Sequence, residues 1–203
     1  MRQWIIERGS TGYESLQLID APDPAVGAGE VLIAPKAWSL NYRDQMIVQG
    51  RYFGGILEDD QVPLSDGAGE VVAVGEGVTR FRPGDRVAGL FLQNWLAGPP
   101  HKCSRQTLGA PPVKGMLAEL VSLPETGVTA IPETLSFEEA ATLPCSGVAA
   151  WNALFGARPL QAGETVLVLG TGGVSMIALQ LAVAAGARVV VTSARTEKLK
   201  RAK

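Results

Sequence analysis

The sequence predicts a two-part protein, a β-rich N-terminal half followed by an α/β nucleotide-binding unit, and three observations predict it. Residues 163–198, GETVLVLGTGGVSMIALQLAVAAGARVVVTSARTEK, read as strand, glycine-rich turn, helix and strand. Residues 1–123 carry instead short apolar runs cut by Gly, Pro and Asp turn signals, with one short helical pattern. The 203 residues bear a net charge of −2 and are 46% hydrophobic, the composition of a globular chain.

In the C-terminal unit, Val166 to Leu169 form a continuous apolar run, as expected of a strand buried on both faces of a parallel sheet. Val174, Ile177, Ala178, Leu181, Ala182 and Ala185 then recur at helical spacing, Gly186 stands at the C′ position, and Val189 to Val191 make a second buried strand. The turn between them lets backbone approach a pyrophosphate, where N–H groups and the helix dipole hold the anion. In the pattern G-x-G-x-x-G, Gly170 and Gly172 take the first two places, Gly173 is an extra glycine, Val174 opens the helix, and the small Ser175 replaces the third glycine. An acid at the end of the second strand would bind a ribose 2′-hydroxyl and mark NAD, but the sequence has none there. Ser193, Arg195 and Lys198 offer a hydroxyl and two cations to a 2′-phosphate, which points to NADP(H). The missing acid also argues against a methyltransferase built on a similar turn.

Composition narrows the function. No basic excess suggests nucleic acid, no apolar run is long enough to span a bilayer, and MRQWIIERGS lacks the regions of a signal peptide, so the expectation is a cytoplasmic protein. Cys103 and Cys145 are the only cysteines and form no CxxC pair, which argues against a disulfide framework. The single histidine, His101, lies in the loop AGPPHKCSRQ and reads as a surface residue, so a His-based triad or multi-histidine metal site is excluded.

From the N-terminus, Gln3–Glu7, Ser15–Ile19 and Glu30–Leu40 read as strands. NYRDQMIVQG, residues 41–50, reads as a short helix closed by glycine. Further strands are expected at Ala68–Val74, Arg86–Phe91 and Leu117–Leu123, with the turn RPGD at 82–85 and a long irregular loop over 92–115. The domain division falls at 124/125, giving 1–124 and 125–203 within a connection over 124–132. Ser136 and Glu139 then make a capping box for SFEEAATL, and a helix follows over about Gly147–Phe155.

In order, SLNYRD, GRY, PLSDGAGEVVAVGEGVTRFRPGDRV, AATLPCSGVAAWNAL and VLVLGTGGVS make the chain resemble the medium-chain dehydrogenase/reductase superfamily, in its zinc-independent quinone oxidoreductase-like branch. The resemblance implies a GroES-like β-barrel domain followed by the first part of a Rossmann domain, and a homo-oligomer. It implies no metal: the catalytic zinc ligands of relatives fall on Asn41, Ser65 and Cys145, of which only Cys145 could bind, and the four-cysteine structural lobe retains only Cys103. The resemblance implies a reductase of a quinone, enone or other conjugated carbonyl, with Asn41, Tyr42 and Tyr52 as the candidate catalytic residues. Arg43 lies with them in the same loop, either tyrosine could donate a hydrogen bond or proton, solvent being the rival source, and packing or capping is the alternative for both. Asp44 reads as a loop organiser and Asp66 as a turn cap or ion-pair partner. Trp38, Trp95 and Trp151 could line an apolar pocket or pack in the core. Members of the superfamily continue well beyond the equivalent of Lys203, so truncation is expected. A nucleotide-binding or structural homologue without turnover is the alternative function.

Overall fold

The computed structural model describes residues 1–99 and 106–202; His101 and Cys103 lie outside the described residues. Two compact units divide the chain, Met1–Pro144 and Cys145–Lys203.

The first unit opens with an antiparallel hairpin of β1 (Arg2–Ile6) and β2 (Leu16–Asp20). The main sheet holds β3 (Glu30–Ser39), β4 (Asp66–Val74), β5 (Arg86–Gly89), β6 (Val121–Pro124) and β7 (Val128–Ala130), all antiparallel, in the order β6-β3-β4-β5-β7. Strand β3 shows why a sheet forms here: Val31, Ile33, Pro35 and Ala37 point inward on alternate positions while Lys36 and Trp38 point out. Pro35 has no N–H to give to a ladder, and it sits at a register shift against β4, beyond the end of the β6 pairing. Val31, Ile33, Val71, Val87, Val121, Leu123 and Val128 from five strands meet Leu108 and Met116 in one core.

The stretch expected to be a plain connection between domains contributes β7, whose Val128 pairs with Gly89 and enters the core. A three-residue strand bounded by Gly127 and Pro132 is too short to show a period of two in sequence. Helix α1 (Tyr42–Val48) buries Ile47 and Val48 against Ile6 and Leu57. Helix α2 (Phe137–Ala141) sets Ala140 and Ala141 against Ala37, Ala68 and Ala88, small residues that admit close approach, and its Ser136 and Glu139 form the expected capping box.

A π-turn at Leu143–Gly147 spans the division of the chain and leads into α3 (Val148–Phe155), the first helix of the second unit. Then β8 (Thr165–Leu169), α4 (Gly173–Ala184) and β9 (Arg188–Thr192) form a parallel βαβ unit, followed by α5 (Thr196–Arg201). Gly186 ends α4 with φ +78, the left-handed conformation expected at C′. The expectation of strands buried on both faces is corrected here: Leu167 is 59% exposed, Leu169 71% and Val190 45%. Helix α4 covers one face, where Val168 is buried and Val166, Val189 and Val191 are half-buried, and among the described residues of this unit no second layer covers the other. No described helix is long and apolar enough to cross a membrane.

Candidate functional site

The first group of site residues is organised by the start of α1. Asn41 is its N-cap in an extended conformation (φ −113, ψ 157), and the Asp44 carboxylate accepts the Asn41 N–H at 2.7 Å while the Asp44 N–H donates to the Asn41 carbonyl at 3.0 Å. This box fixes the loop before the helix. The Asn41 side chain then reaches across 25 positions, its Nδ2 donating to Asp66 Oδ2 at 3.0 Å, while Ser65 Oγ donates to Asp66 Oδ1 at 2.9 Å. Asp66 is fully buried, so its carboxylate is the hub that holds both residues in place.

Backbone geometry delivers Ser65 and Asp66 to that position. Leu64 has φ +70, the one non-glycine residue with positive φ among those described. Such a conformation costs on the order of 1–3 kcal/mol and persists only where the surroundings enforce it. Here Met116 N–H donates to the Leu64 carbonyl at 2.8 Å, and Gly109 comes so close that a Cβ on it would stand 2.6 Å from the Leu64 carbonyl carbon.

Arg43 is buried beneath the same turn. Its Nη1 donates to the Leu108 carbonyl and its Nη2 to Thr107 Oγ1, both at 2.8 Å, and its Nε to the Tyr52 hydroxyl oxygen at 3.3 Å. The guanidinium also lies 4.8 Å from the ring centres of both Tyr52 and Phe91. Tyr52 is therefore an acceptor toward Arg43, with its own proton left to donate elsewhere. It also borders a cavity of about 440 Å³ lined by Ile47, Leu57, Pro111 and Pro112 among others. Tyr42 is different: it is 74% exposed. Burial raises the Asp44 pKa from 3.8 to about 6, opposed by the Asn41 N–H and by Arg43, 3.9 Å away, and helped by the nearby Asp66 charge. Its Oδ1 is buried without a hydrogen bond.

Neither Asn41 nor Ser65 supplies a thiolate or imidazole, and both donate hydrogen bonds to Asp66, so these positions do not fit a catalytic zinc. No described cluster of three His, Cys, Asp or Glu side chains is placed to hold a metal ion. Of these tryptophans, Trp38 and Trp95 are equally exposed and Trp151 more so, and the Trp38 indole N–H donates to the Met116 carbonyl.

The second group lies in the βαβ unit. Gly170 turns the chain with φ +83 and its N–H donates to the Thr192 carbonyl, joining the ends of β8 and β9. Gly172 is the N-cap of α4, and a Cβ on Gly170 or Gly172 would meet nothing within 4 Å. The space above the turn is open. A Cβ on Gly173 would lie 3.1 Å from Ser146 Oγ, so this serine, which the sequence did not point to, stands beside the glycine turn. Ser175 does more than substitute for a small glycine: its Oγ donates to the Leu169 carbonyl at 3.0 Å and ties helix to strand. Val174 is partly exposed at the helix start. Ser193 Oγ accepts the Arg195 N–H at 3.2 Å, Arg195 is the N-cap of α5, and Lys198 lies in its first turns, bordering a small cavity beside the glycine turn. The first-turn N–H groups of α4 and its dipole, an approach left open by glycine, and nearby cations together fit a dinucleotide pyrophosphate.

Residues 27–133 match the alcohol dehydrogenase GroES-like domain family, more than half of the chain. The chain belongs to the medium-chain dehydrogenase/reductase superfamily. Its first unit is the GroES-like domain of that superfamily and its βαβ unit is the first part of a Rossmann domain. A zinc-type alcohol dehydrogenase-like protein of Schizosaccharomyces pombe is 44% identical over 99% of this chain and 59% of its own length. A solved NAD-dependent alcohol dehydrogenase is 35% identical with a TM-score of 0.86, over 100% of this chain and 60% of that one. A solved quinone oxidoreductase of Pseudomonas syringae pv. tomato DC3000 is 31% identical with a TM-score of 0.80, over 100% of this chain and 56% of that one. The chain thus spans about three-fifths of the length of these relatives.

Sequence reasoning missed Asp66 as a hub, because a contact between residues 41 and 66 leaves no local pattern. It placed Arg43 in the loop without its partners, and the only signal for its burial was the loop being rich in charge before an apolar helix.

Proposed function

We propose that the protein is an NADP(H)-dependent, zinc-independent oxidoreductase that transfers hydride to a quinone, enone or other conjugated carbonyl. The observation that carries the reading is the open glycine turn at the start of α4, followed at the end of β9 by Ser193, Arg195 and Lys198 with no acid among the first residues after the strand. The bound nicotinamide would supply the hydride, and the chain would bind and orient it. Gly170, Gly172, Gly173, Val174 and Ser175 form the pyrophosphate cradle. Hydride addition to the carbon of a conjugated system moves negative charge to oxygen, which a hydrogen-bond donor must meet. Tyr42, exposed beside the capped start of α1, and Tyr52, whose proton is not used by Arg43, are the donors, and Asn41 positions the loop through Asp66. A Lewis acid is not needed where conjugation delivers the charge to oxygen, consistent with the donor set at Asn41 and Ser65. By the same reading the protein is a homo-oligomer acting on a small molecule.

The test is NADPH oxidation followed by absorbance with a panel of quinones and enones, in the presence of a zinc chelator. Turnover with conjugated acceptors and none with simple ketones is expected. Turnover only with NADH, or its loss on chelation, would sink the reading. A second reading, nucleotide binding without turnover, is favoured by the internal use of the Asn41 side chain and by the Arg43 bond to Tyr52. It predicts saturable NADPH binding with no hydride transfer to any acceptor.

A further inference from the structure

Arg43 carries a full charge and is yet 8% exposed, and its three nitrogens donate to three different atoms. Nη1 is tied to the Leu108 carbonyl and Nη2 to Thr107 Oγ1, which leaves Nε for the Tyr52 hydroxyl oxygen at 3.3 Å. Both anchors are held in turn: Leu108 is fully buried in the main core with its N–H donating to the Phe91 carbonyl at 3.0 Å, and Thr107 forms a β-bridge with Leu92. A planar fork tied at two points cannot turn to follow Tyr52, so the arginine fixes the tyrosine. Its ion pair among the described residues, with Asp44 Oδ1, is 3.9 Å long and makes no hydrogen bond. A buried cation so weakly compensated costs stability, and an apolar side chain of similar size would serve packing better. Tyr52 completes the arrangement. Its oxygen accepts from Arg43, its proton meets no acceptor among the described residues, and it borders the cavity of about 440 Å³. Ile47, Ile56, Leu57 and Pro111 give that cavity apolar walls, and its volume falls in the roughly 300–1,000 Å³ range of small-molecule pockets.

We propose that Arg43 is a positioning residue: by occupying a lone pair of the Tyr52 oxygen it turns the hydroxyl proton toward the cavity, to be donated in a hydrogen bond to the carbonyl oxygen of an enone or quinone. The inference rests on the reading above that a tyrosine hydroxyl meets that oxygen, and it selects Tyr52 over the exposed Tyr42. A hydroxyl has one proton and two lone pairs, so a donor fixed on one side decides where the proton can point. As Tyr52 donates, negative charge grows on its oxygen, and a cation already in place meets it without reorganisation.

Infrared difference spectroscopy of cyclohexenone, isotope-labelled at its carbonyl carbon and titrated into the full chain, tests this without any need for hydride transfer. A hydrogen bond lowers the carbonyl stretching frequency, so the wild type is expected to shift the bound band downward. Tyr52→Phe should lose the shift and bind about three- to tenfold more weakly, while Tyr42→Phe should match the wild type. Arg43→Gln keeps Tyr52 and should lose the shift as well. Arg43→Lys, which keeps the charge without the planar fork, should give a smaller and broader shift. Unfolding midpoints measured alongside establish that each variant is folded, and if Arg43→Gln is not, Arg43→Lys decides. A full wild-type shift in Arg43→Gln, or a wild-type band in position and width in Arg43→Lys, would overturn the proposal while leaving Tyr52 as the donor. A shift lost in Tyr42→Phe and kept in Tyr52→Phe would overturn it while leaving a tyrosine donor. A shift kept in both, or a wild type that binds without a shift or does not bind, would sink that reading and the proposal with it.

Discussion

Ile33 in β3 and Leu169 in β8 are both apolar residues in regular strands, yet Ile33 is fully buried and Leu169 is 71% exposed. The difference lies in layers. In the first unit, strands of one curled sheet and the segment around Leu108 and Met116 close on a common core. In the second unit, a two-stranded parallel sheet has α4 on one face only, so alternate residues of both strands face outward. The polar groups divide in the same way. Around Asn41, Arg43 and Asp66 nearly every donor and acceptor is matched within the protein, whereas the glycine turn leaves its approach empty. The first unit pairs its polar groups internally, and the second leaves open space at its glycine turn.

The largest expected effect separates the two cores. Ile33→Ala should destabilise the protein by about 2–5 kcal/mol, through lost burial and the cavity left behind, while Leu169→Ala should cost less than about 0.5 kcal/mol because its side chain is already in water. Urea unfolding of both variants measures this, and equal costs would break the comparison. The glycines sharpen it next. Gly109→Ala forces a side chain into the left-handed region and against Leu64, and a loss of about 3 kcal/mol is expected. Gly172→Ala meets no atom and has ordinary φ, so its stability should change by no more than about 1 kcal/mol, with the effect appearing in nucleotide affinity instead.

Asp44 gives a smaller, pH-dependent effect. Its folded pKa of about 6 lies above the ordinary 3.8, so the folded state binds the proton more tightly than the unfolded state between those values. Its contribution is fully present below pH 4 and is lost as pH rises through 6, which makes the native protein less stable toward neutral pH by up to about 3 kcal/mol from this group. Asp44→Asn should flatten that part of the stability profile. A variant with the same slope as the wild type between pH 4 and 6 would remove Asp44 as its source.

Much of this architecture can be read in the chain. Alternation in residues 30–39, the Ser136 and Glu139 box, the helical stripe from Val174 and the glycine at 186 each report a local rule that the structure obeys. Leu167, Leu169 and Val190 are exposed although apolar, because apolar character reports what a strand can bury and says nothing of how many layers meet it. The role of Asp66 was hidden because it depends on a left-handed Leu64 and on a contact 25 residues away.

The comparison between a self-satisfied first unit and an open second unit stands or falls on whether the glycine turn holds a phosphorylated dinucleotide. Calorimetric titration of the chain with NADPH and NADH measures this most directly. Saturable binding of NADPH, tighter than NADH by about tenfold or more, is the result that the open turn and its cations predict. Equal affinity, a preference for NADH, or no binding of either would contradict it.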